Sequence, residues 1–348
     1  MELWNCVNRH VLQKSPKEGH DSRGKRITLI LAHANGFPKE IWEPTLQSLI
    51  SHSESADYII EEIWSWEAVQ HGDSALINAK ALSGVHDWAD NSRDILNFLI
   101  NYMPSAGSDE SLPTHLNPVE PSVSAFRAKS GFSDRTLVAI GHSYGGTTSA
   151  FAALTHPWLF SAIILIDPII NPASDYGEKY VHHLVAGAIK RRNGWSSRAE
   201  ALEQFKRIPF FAAWEPAVLQ RYIDFGLYED RKGQFQLKMT PIQEAVAFVE
   251  TRLSAKVWDL MPLLDEQVAL HWVKPARLLS IPGLRTKEES EKIAQELVWL
   301  RPANASNTIL PTGHLVPHES PSSLAQDLHL FLVKKYGRSV RYHSNAKL

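Results

Sequence analysis

The sequence predicts an α/β fold in which a mostly parallel sheet carries helices on both faces. Short apolar, β-branched runs alternate along the chain with turns and stretches of helical periodicity, the pattern of repeated strand–helix units. One long segment, 171–256, interrupts this alternation, because it has several amphipathic helical stretches and no convincing buried strand. We therefore expect a helical cap inserted over the carboxyl edge of the sheet.

Six apolar runs of strand length and one well-marked helix define the predicted core. The strands are predicted at 26–37, 57–64, 135–143, 161–170, 275–284 and 306–314. Residues 87–103 begin with capping residues and have helical spacing, whereas the Ser- and Pro-rich residues 104–134 predict a long exposed loop. The chain then divides into a first core part at 1–170, the cap at 171–256 and a second core part at 257–348 that ends in a targeting tail.

Composition narrows the classes of function. The 348 residues carry a formal net charge of −2, which gives no electrostatic footprint for nucleic acid. No apolar run approaches the roughly 18 residues of a membrane span. The single cysteine, Cys6, excludes a disulfide framework within the chain and is typical of a reducing compartment. We expect Cys6 to be a strand residue rather than a nucleophile.

Ser143 lies between glycines at a point where a buried strand turns into a helix. Gly141-His-Ser-Tyr-Gly145 matches Gly-x-Ser-x-Gly, with an apolar run before it and a helical run of small residues after it. The glycines let strand and helix approach closely, and the sharp turn lifts the hydroxyl above the sheet edge. We predict that Ser143 is a nucleophile; the alternative is an ordinary glycine-rich strand-to-helix turn.

A serine nucleophile needs a base, and His314 is the candidate among 16 histidines. It follows the last predicted strand, directly after a glycine, where the chain order serine, acid, histidine puts the base. His318 is the nearby alternative. His142 flanks the nucleophile on the turn and cannot easily turn back to serve it.

The third residue, an acid that orients the imidazole, has two candidates. The usual position after the next-to-last strand holds Thr286, and Glu288 lies shortly beyond it. Asp167 ends the strand that follows the nucleophile strand, from which a carboxylate can reach the same imidazole. We predict Asp167, with Glu288 as the alternative; in a non-catalytic interpretation Asp167 only caps the turn before Pro168.

An oxyanion hole requires two backbone N–H groups aimed at one point. Tyr144, directly after the nucleophile, is expected to supply one of them. The loop after the first long strand, His33-Ala-Asn-Gly-Phe-Pro38, is expected to supply the other, from Asn35 or Phe37. Ala34 stands where one alignment of this loop expects glycine, so both donors stay open. The turn at 70–74 resembles a His-Gly-x-Ser turn with a structural role.

Several cap side chains have both a functional and a structural interpretation. Three aromatic residues are candidates for an acyl channel or for packing inside the cap, namely Phe210, Phe211 and Trp214. The basic run 190–192 is a candidate grip for the phosphates of CoA, although such runs are more often solvated. His182 and His183 are adjacent on a helix, so their side chains diverge and predict a solvated pair rather than a metal site.

The last three residues are Ala346-Lys347-Leu348. A small residue, a basic residue and leucine in this order match a peroxisomal import signal, which an import receptor reads at the chain terminus. A polar, basic tail precedes them. We therefore expect a peroxisomal location with the import receptor as a partner; a chance match would leave the protein in the cytoplasm.

Together these motifs resemble the α/β-hydrolase family over most of the chain. More narrowly, residues 29–44, 141–146 and 165–168 and the Lys-Leu terminus resemble a group of fungal peroxisomal α/β-hydrolases. The group includes hydrolases of mycophenolic acid and AK-toxin-type biosynthesis and a yeast peroxisomal lipase-like protein. The resemblance implies hydrolysis of a thioester or ester, often in secondary metabolism. It also implies an acid on the strand after the nucleophile strand, which supports Asp167.

These observations predict a serine hydrolase that uses Ser143, His314 and Asp167 on a small acyl thioester or ester, without a metal or cofactor. An acyl-CoA hydrolase is the first hypothesis. A carboxylesterase or lipase that cleaves an oxygen ester, and an acyltransferase, are alternatives that these motifs do not separate. A hydrolase-like binding protein without turnover would have no need of all three residues.

Overall fold

A computed structural model of the protein describes residues 2–12, 24–173, 176–250, 252–278 and 286–337. Its strands are β1 (Val7–Val11), β2 (Lys25–Ala32), β3 (Tyr58–Trp66), β4 (Leu137–His142), β5 (Ala162–Ile166), β6 (Leu227–Glu229), β7 (Phe235–Leu237), β8 (Ala269–Pro275) and β9 (Ala305–Leu310). Its helices are α1 (Glu43–Ser53), α2 (Gly72–Asn78), α3 (Trp88–Asn97), α4 (Pro121–Ser130), α5 (Tyr144–Thr155), α6 (Tyr176–Ile189), α7 (Arg198–Lys206), α8 (Pro209–Ala212), α9 (Pro216–Gly226), α10 (Pro241–Val249), α11 (Arg252–Leu260), α12 (Lys287–Trp299), α13 (Val316–Glu319) and α14 (Pro321–Tyr336). None of the described helices is both long enough and apolar enough to cross a membrane.

Seven strands form one sheet in the order β1-β3-β2-β4-β5-β8-β9. Strand β1 is antiparallel to β3, and the other neighbouring pairs of this sheet are parallel. The predicted α/β fold with a mostly parallel sheet is therefore confirmed. The strands predicted at 26–37, 57–64, 135–143, 161–170 and 306–314 correspond to β2, β3, β4, β5 and β9. Cys6 directly precedes β1.

The next-to-last strand lies earlier in the chain than the sequence predicts. Strand β8 pairs with β5 and β9 and ends at Pro275, so the prediction of a strand that begins at Pro275 is wrong. Residues 279–284 of that prediction lie outside the described residues. His271 concealed the strand, because a histidine interrupts its apolar run. The ring of His271 is buried, with Ser306 Oγ 2.8 Å from Nδ1 and Asp327 Oδ2 2.9 Å from Nε2.

Side chains on the central strands alternate between two apolar clusters, one on each face of the sheet. On β2, Ile30 belongs to the first cluster, while Leu29 and Leu31 belong to the second. The first cluster includes residues of α3 and α5, and the second includes residues of α1 and α14. This alternation follows from the two-residue period of a strand, and it confirms the prediction of helices on both faces.

The predicted exposed loop at 104–134 contains a helix, α4, so that prediction is wrong for part of its length. Pro121 begins α4 and Gly131, with φ 78°, ends it, which are the usual proline and glycine positions at the two ends of a helix. Arg127 on α4 is buried and donates hydrogen bonds to the carbonyl oxygens of Leu99, at 3.1 Å, and Met103, at 2.7 Å. The high serine and proline content of residues 104–134 is typical of a loop, so the sequence did not predict this helix.

The segment between β5 and β8 is mainly helical and adds the short antiparallel pair β6–β7. Its aromatic and aliphatic side chains form a third apolar cluster that also takes in Phe37 and Leu315 from the core. The predicted boundary at 256 falls inside α11, whose Leu253 and Val257 belong to the first cluster of the core. The division into core and cap stays a prediction.

The turn from β4 into α5 is tightly constrained. Ser143 joins the two elements with φ 55° and ψ −119°, a conformation that costs energy for any residue with a Cβ. A Cβ on Gly141 would lie 2.6 Å from the Cα of Gly146. A Cβ on Gly145 would lie 2.4 Å from the carbonyl oxygen of Ala32, at the end of β2. Glycine at 141 and 145 is therefore a packing requirement of this turn.

We expect Gly145→Ala to lower the free energy of unfolding by about 3 kcal/mol, because backbone atoms of β2 must move to accommodate the methyl group. Gly187→Ala is the matched control. A Cβ on Gly187 in α6 meets nothing within 4 Å, so alanine there should leave stability unchanged or raise it by about 0.5 kcal/mol. Equilibrium urea unfolding measures both variants. Equal stability of Gly145→Ala and the wild type would contradict the packing argument.

Candidate active site

Ser143 lies at the carboxyl edge of the sheet, at the amino end of α5. Its N–H donates to the carbonyl oxygen of Ile166, the last residue of β5, at 3.0 Å. The residue is only 6% exposed. The positive end of the α5 dipole therefore lies beside the hydroxyl, where it favours negative charge.

His314 lies on the loop between β9 and α13 and reaches the serine. Its Nε2 is 2.9 Å from Ser143 Oγ, and its Nδ1 is 2.6 Å from Asp167 Oδ2. Because Nδ1–H donates to the carboxylate, Nε2 is left to accept the proton of the serine hydroxyl. The loop is tied down by His142, whose Nε2–H donates to the carbonyl oxygen of His314 at 2.9 Å.

Asp167 follows β5 directly and is 8% exposed. Its φ is 35°, and its N–H extends the sheet by donating to the carbonyl oxygen of Val273 on β8 at 2.9 Å. Burial alone would raise the pKa of Asp167, but the ammonium group of Lys274 and the hydrogen bond from His314 outweigh burial and hold the pKa well below its ordinary value. The carboxylate is thus ionised at neutral pH.

His318, the alternative base, has different surroundings. Its ring is fully buried and lies 4.4 Å from the ring of Phe37 and 4.4 Å from the ring of Trp214. Burial lowers the pKa of His318 well below its ordinary value. Neither ring nitrogen has a hydrogen-bond partner in the described part of the chain. The structure therefore brings His314, and not His318, to Ser143.

Glu288, the alternative acid, lies in the first turn of α12 and is exposed. The neighbouring Glu289 forms a capping box with Thr286: the Thr286 hydroxyl accepts from the Glu289 N–H at 3.1 Å, and the Glu289 carboxylate accepts from the Thr286 N–H at 2.9 Å. Thr286 thus caps a helix at the place where the sequence pattern expects an acid. The carboxylate that contacts His314 is that of Asp167.

The loop after β2 lies against the turn at Ser143, as the close approach of Gly145 to Ala32 requires. The Asn35 side chain is held at both ends, since its amide donates to the carbonyl oxygen of Glu244 at 3.3 Å and its Oδ1 accepts from His71 Nε2 at 3.0 Å. Tyr144, the first residue of α5, has a backbone N–H without an intrahelical acceptor. Asn35, Phe37 and Tyr144 stay predictions as oxyanion donors.

The sequence did not reveal how the loop after β2 is supported. His71, in the turn at 70–74, and Glu244, on α10 of the cap segment, both hold Asn35, although they are distant in sequence. Burial lowers the pKa of His71 well below its ordinary value, so this ring is neutral. The contact between Lys274 and Asp167 was missed as well, because the strand that carries Lys274 was not predicted.

The cap side chains lie mostly in structural contacts. Phe211 and Trp214 are buried in the third apolar cluster, whereas Phe210 is 49% exposed. In the basic run 190–192, Arg191 pairs with Glu244 at 2.8 Å and Arg192 pairs with Glu200 at 2.5 Å. The two adjacent cap histidines are both exposed, namely His182 and His183. Among the residues that the structure describes, no cluster of three or more His, Cys, Asp or Glu side chains could hold a metal ion.

Two groups of fungal proteins are similar to the chain in sequence. The type I acyl-CoA thioesterase mpaH of Penicillium roqueforti is 27% identical over 249 residues, which cover 71% of this chain and 48% of that protein. The abhydrolase domain-containing protein ACTT2 of Alternaria alternata is 28% identical over 222 residues, 54% of this chain and 80% of that protein. The match thus spans about half the length of the thioesterase.

A yeast protein is similar along almost the whole chain. The peroxisomal membrane protein LPX1 of Saccharomyces cerevisiae is 25% identical over 343 residues, which cover 92% of this chain and 78% of that protein. The solved structure of this peroxisomal alpha-beta-hydrolase superposes with a TM-score of 0.68 at 19% identity, over 95% of this chain and 88% of the yeast chain. This structural likeness supports the fold.

A family model fits most of the chain. The model of the alpha/beta hydrolase family matches residues 29–327, a range that includes Ser143, Asp167 and His314. The fold and the similar fungal sequences agree with this match, and the predicted resemblance to fungal hydrolases is confirmed. The chain belongs to the alpha/beta hydrolase family of enzymes.

Proposed function

We propose that the protein is a serine hydrolase that cleaves acyl-CoA thioesters, with Ser143 as nucleophile, His314 as base and Asp167 as the acid that orients the base. The observation that carries the proposal is the chain of hydrogen bonds from Ser143 Oγ through the His314 ring to Asp167, 2.9 Å and 2.6 Å long. A nucleophile, a base and an orienting carboxylate in this order form the constellation of acyl transfer.

In the first step, Ser143 Oγ attacks the acyl carbonyl carbon while His314 Nε2 takes the hydroxyl proton. The carbonyl oxygen becomes an oxyanion, and the N–H of Tyr144 together with an N–H of Asn35 or Phe37 stabilises it. The bond to the leaving sulfur then breaks. The imidazolium of His314 returns the proton to the departing thiolate, which leaves Ser143 acylated.

In the second step, His314 takes a proton from a water molecule, and the hydroxide oxygen attacks the acyl carbonyl carbon. The bond between Ser143 Oγ and the acyl group breaks, and the proton passes from His314 to Oγ. The products are a carboxylic acid, a free thiol and the regenerated enzyme. Asp167 stays ionised in both steps, since its pKa lies well below its ordinary value, and it stabilises each imidazolium.

The thioester substrate rests on similarity rather than on the site. Relatives of this chain include type I acyl-CoA thioesterases, and this supports a CoA thioester over other acyl donors. The basic run 190–192 gives little support for a CoA grip, because Arg191 and Arg192 already pair with carboxylates. Phe211 and Trp214 are buried in the third apolar cluster, so we assign them no substrate contact.

Thiol release from a panel of acyl-CoAs, measured beside alcohol release from matched oxygen esters, tests the proposal. We expect thioester turnover in the wild type and a loss of at least about a thousandfold in kcat for Ser143→Ala, since its nucleophile is absent. Ser133→Ala, at an exposed serine, is the matched control and should retain full activity.

Other outcomes of this assay would replace the proposal. Turnover of oxygen esters alone would identify a carboxylesterase or lipase. An enzyme that releases thiol only when an acyl acceptor is added would be an acyltransferase. Binding without turnover, or an active Ser143→Ala variant, would contradict the serine mechanism.

We further propose that the protein acts in peroxisomes. The yeast relative LPX1 is a peroxisomal protein by name, which supports this location. The predicted import signal at Ala346–Leu348 lies outside the described residues. We expect the full chain with an amino-terminal fluorescent tag to co-localise with a peroxisomal marker in a fungal cell, and a chain without residues 346–348 to become diffuse. Peroxisomal fluorescence of the shortened chain would contradict the role of the tripeptide.

A further inference from the structure

Lys274 lies beside the carboxylate that orients the base. It is the residue after Val273, which pairs with Ile166 in the register of β5 and β8 and accepts the hydrogen bond from the Asp167 N–H. The two side chains therefore leave neighbouring strands at the same sheet edge. The ammonium group of Lys274 contacts Asp167 Oδ1, and its side chain is only 12% exposed.

The carboxylate of Asp167 is divided between two partners. Oδ2 accepts from His314 at 2.6 Å, while Oδ1 accepts from Lys274. With both oxygens engaged, the carboxylate cannot rotate freely about its Cβ–Cγ bond, so the direction of Oδ2 toward the imidazole is fixed. The positive charge also offsets part of the negative charge that His314 experiences, and because the pair is mostly buried, solvent screens this effect weakly.

Among the residues that the structure describes, the other ionisable groups near His314 are neutral or paired, so Asp167 and Lys274 set the charge beside its ring. The neighbouring histidines are neutral: burial lowers the pKa of His142 to about 3, with His314 nearby adding to the shift, and burial lowers the pKa of His33 to about 4. Burial also holds the pKa of His318 on α13 well below its ordinary value. Glu319 on the same helix is paired with Arg277 at 2.5 Å.

We propose that Lys274 is a positioning residue of the reaction: it fixes the Asp167 carboxylate toward His314 and offsets part of its charge, so that His314 keeps its function as a base in more acidic solution. The inference rests on the proposed function of Ser143, His314 and Asp167. Lys274 acts through Asp167 and takes no part in the bonds that form or break.

The sign of the effect follows from the charges. Without Lys274, the full negative charge of Asp167 stabilises the protonated imidazole more strongly. We therefore expect the acidic limb of the activity profile to move upward. A loss of orientation acts separately, because it lowers kcat on the plateau and leaves KM largely unchanged.

The test compares Lys274→Met, Lys274→Arg and a control, Lys334→Met, at an exposed lysine on α14. Two profiles are measured against pH: kcat/KM for an acyl thioester, and the rate at which a fluorophosphonate labels Ser143. We expect Lys274→Met to move the acidic limb of both profiles upward by about 0.5 to 1 pH unit and to lower kcat about tenfold. Lys274→Arg should restore the wild-type profile, and Lys334→Met should match it.

The outcomes separate this inference from the proposed function. Acidic limbs that stay in place or move downward in Lys274→Met, while Ser143 is still labelled, would overturn the role of Lys274 and leave the serine mechanism intact. Absence of labelling in the wild type would overturn the serine mechanism and, with it, this inference. Thermal unfolding reports whether each variant is folded; if Lys274→Met is not, Lys274→Gln is expected to give the same shift and serves as the test.

Discussion

The turn from β4 into α5 is the constraint on which the rest of the site depends. Ser143 is held at φ 55° between a buried strand and a helix, and the close contacts at Gly141 and Gly145 leave no room for larger side chains. Its N–H donates to the carbonyl oxygen of Ile166, the last residue of β5, and Asp167 follows directly in the chain. A single turn thus fixes Ser143 relative to Asp167, and His314 contacts both from the loop after β9.

The position of Asp167, directly after β5, determines which residues contact its side chain. Strand β8 lies beside β5, and Lys274, the penultimate residue of β8, contacts the Asp167 carboxylate. After the next-to-last strand, at the position where the sequence pattern expects an acid, Thr286 instead caps α12. Glu244, on α10 of the predicted cap segment, holds Asn35 in the loop after β2.

Local patterns predicted much of this molecule. The glycine spacing around Ser143 and the glycine before His314 predicted the turns that carry these two residues, because such turns depend on adjacent residues. Five strands were predicted from their apolar runs. Strand β8 was missed because His271 interrupts it, and its partner Asp327 lies on α14, 56 residues away. The support of Asn35 by His71 and Glu244 was missed because both residues are distant from Asn35 in the sequence. A contact between distant segments leaves no periodic signal in the sequence.

The most direct test of this account is the kcat of Asp167→Asn beside that of Glu288→Gln, with both proteins shown to be folded. We predict that Asp167→Asn lowers kcat by about 10³ to 10⁴, because an amide cannot stabilise the imidazolium and favours the wrong tautomer of His314. Glu288→Gln should stay within about twofold of the wild type, since Glu288 is exposed on α12 and His314 Nδ1 is paired with Asp167. Near-normal activity of Asp167→Asn, or a large loss in Glu288→Gln, would contradict the assignment of the acid to β5.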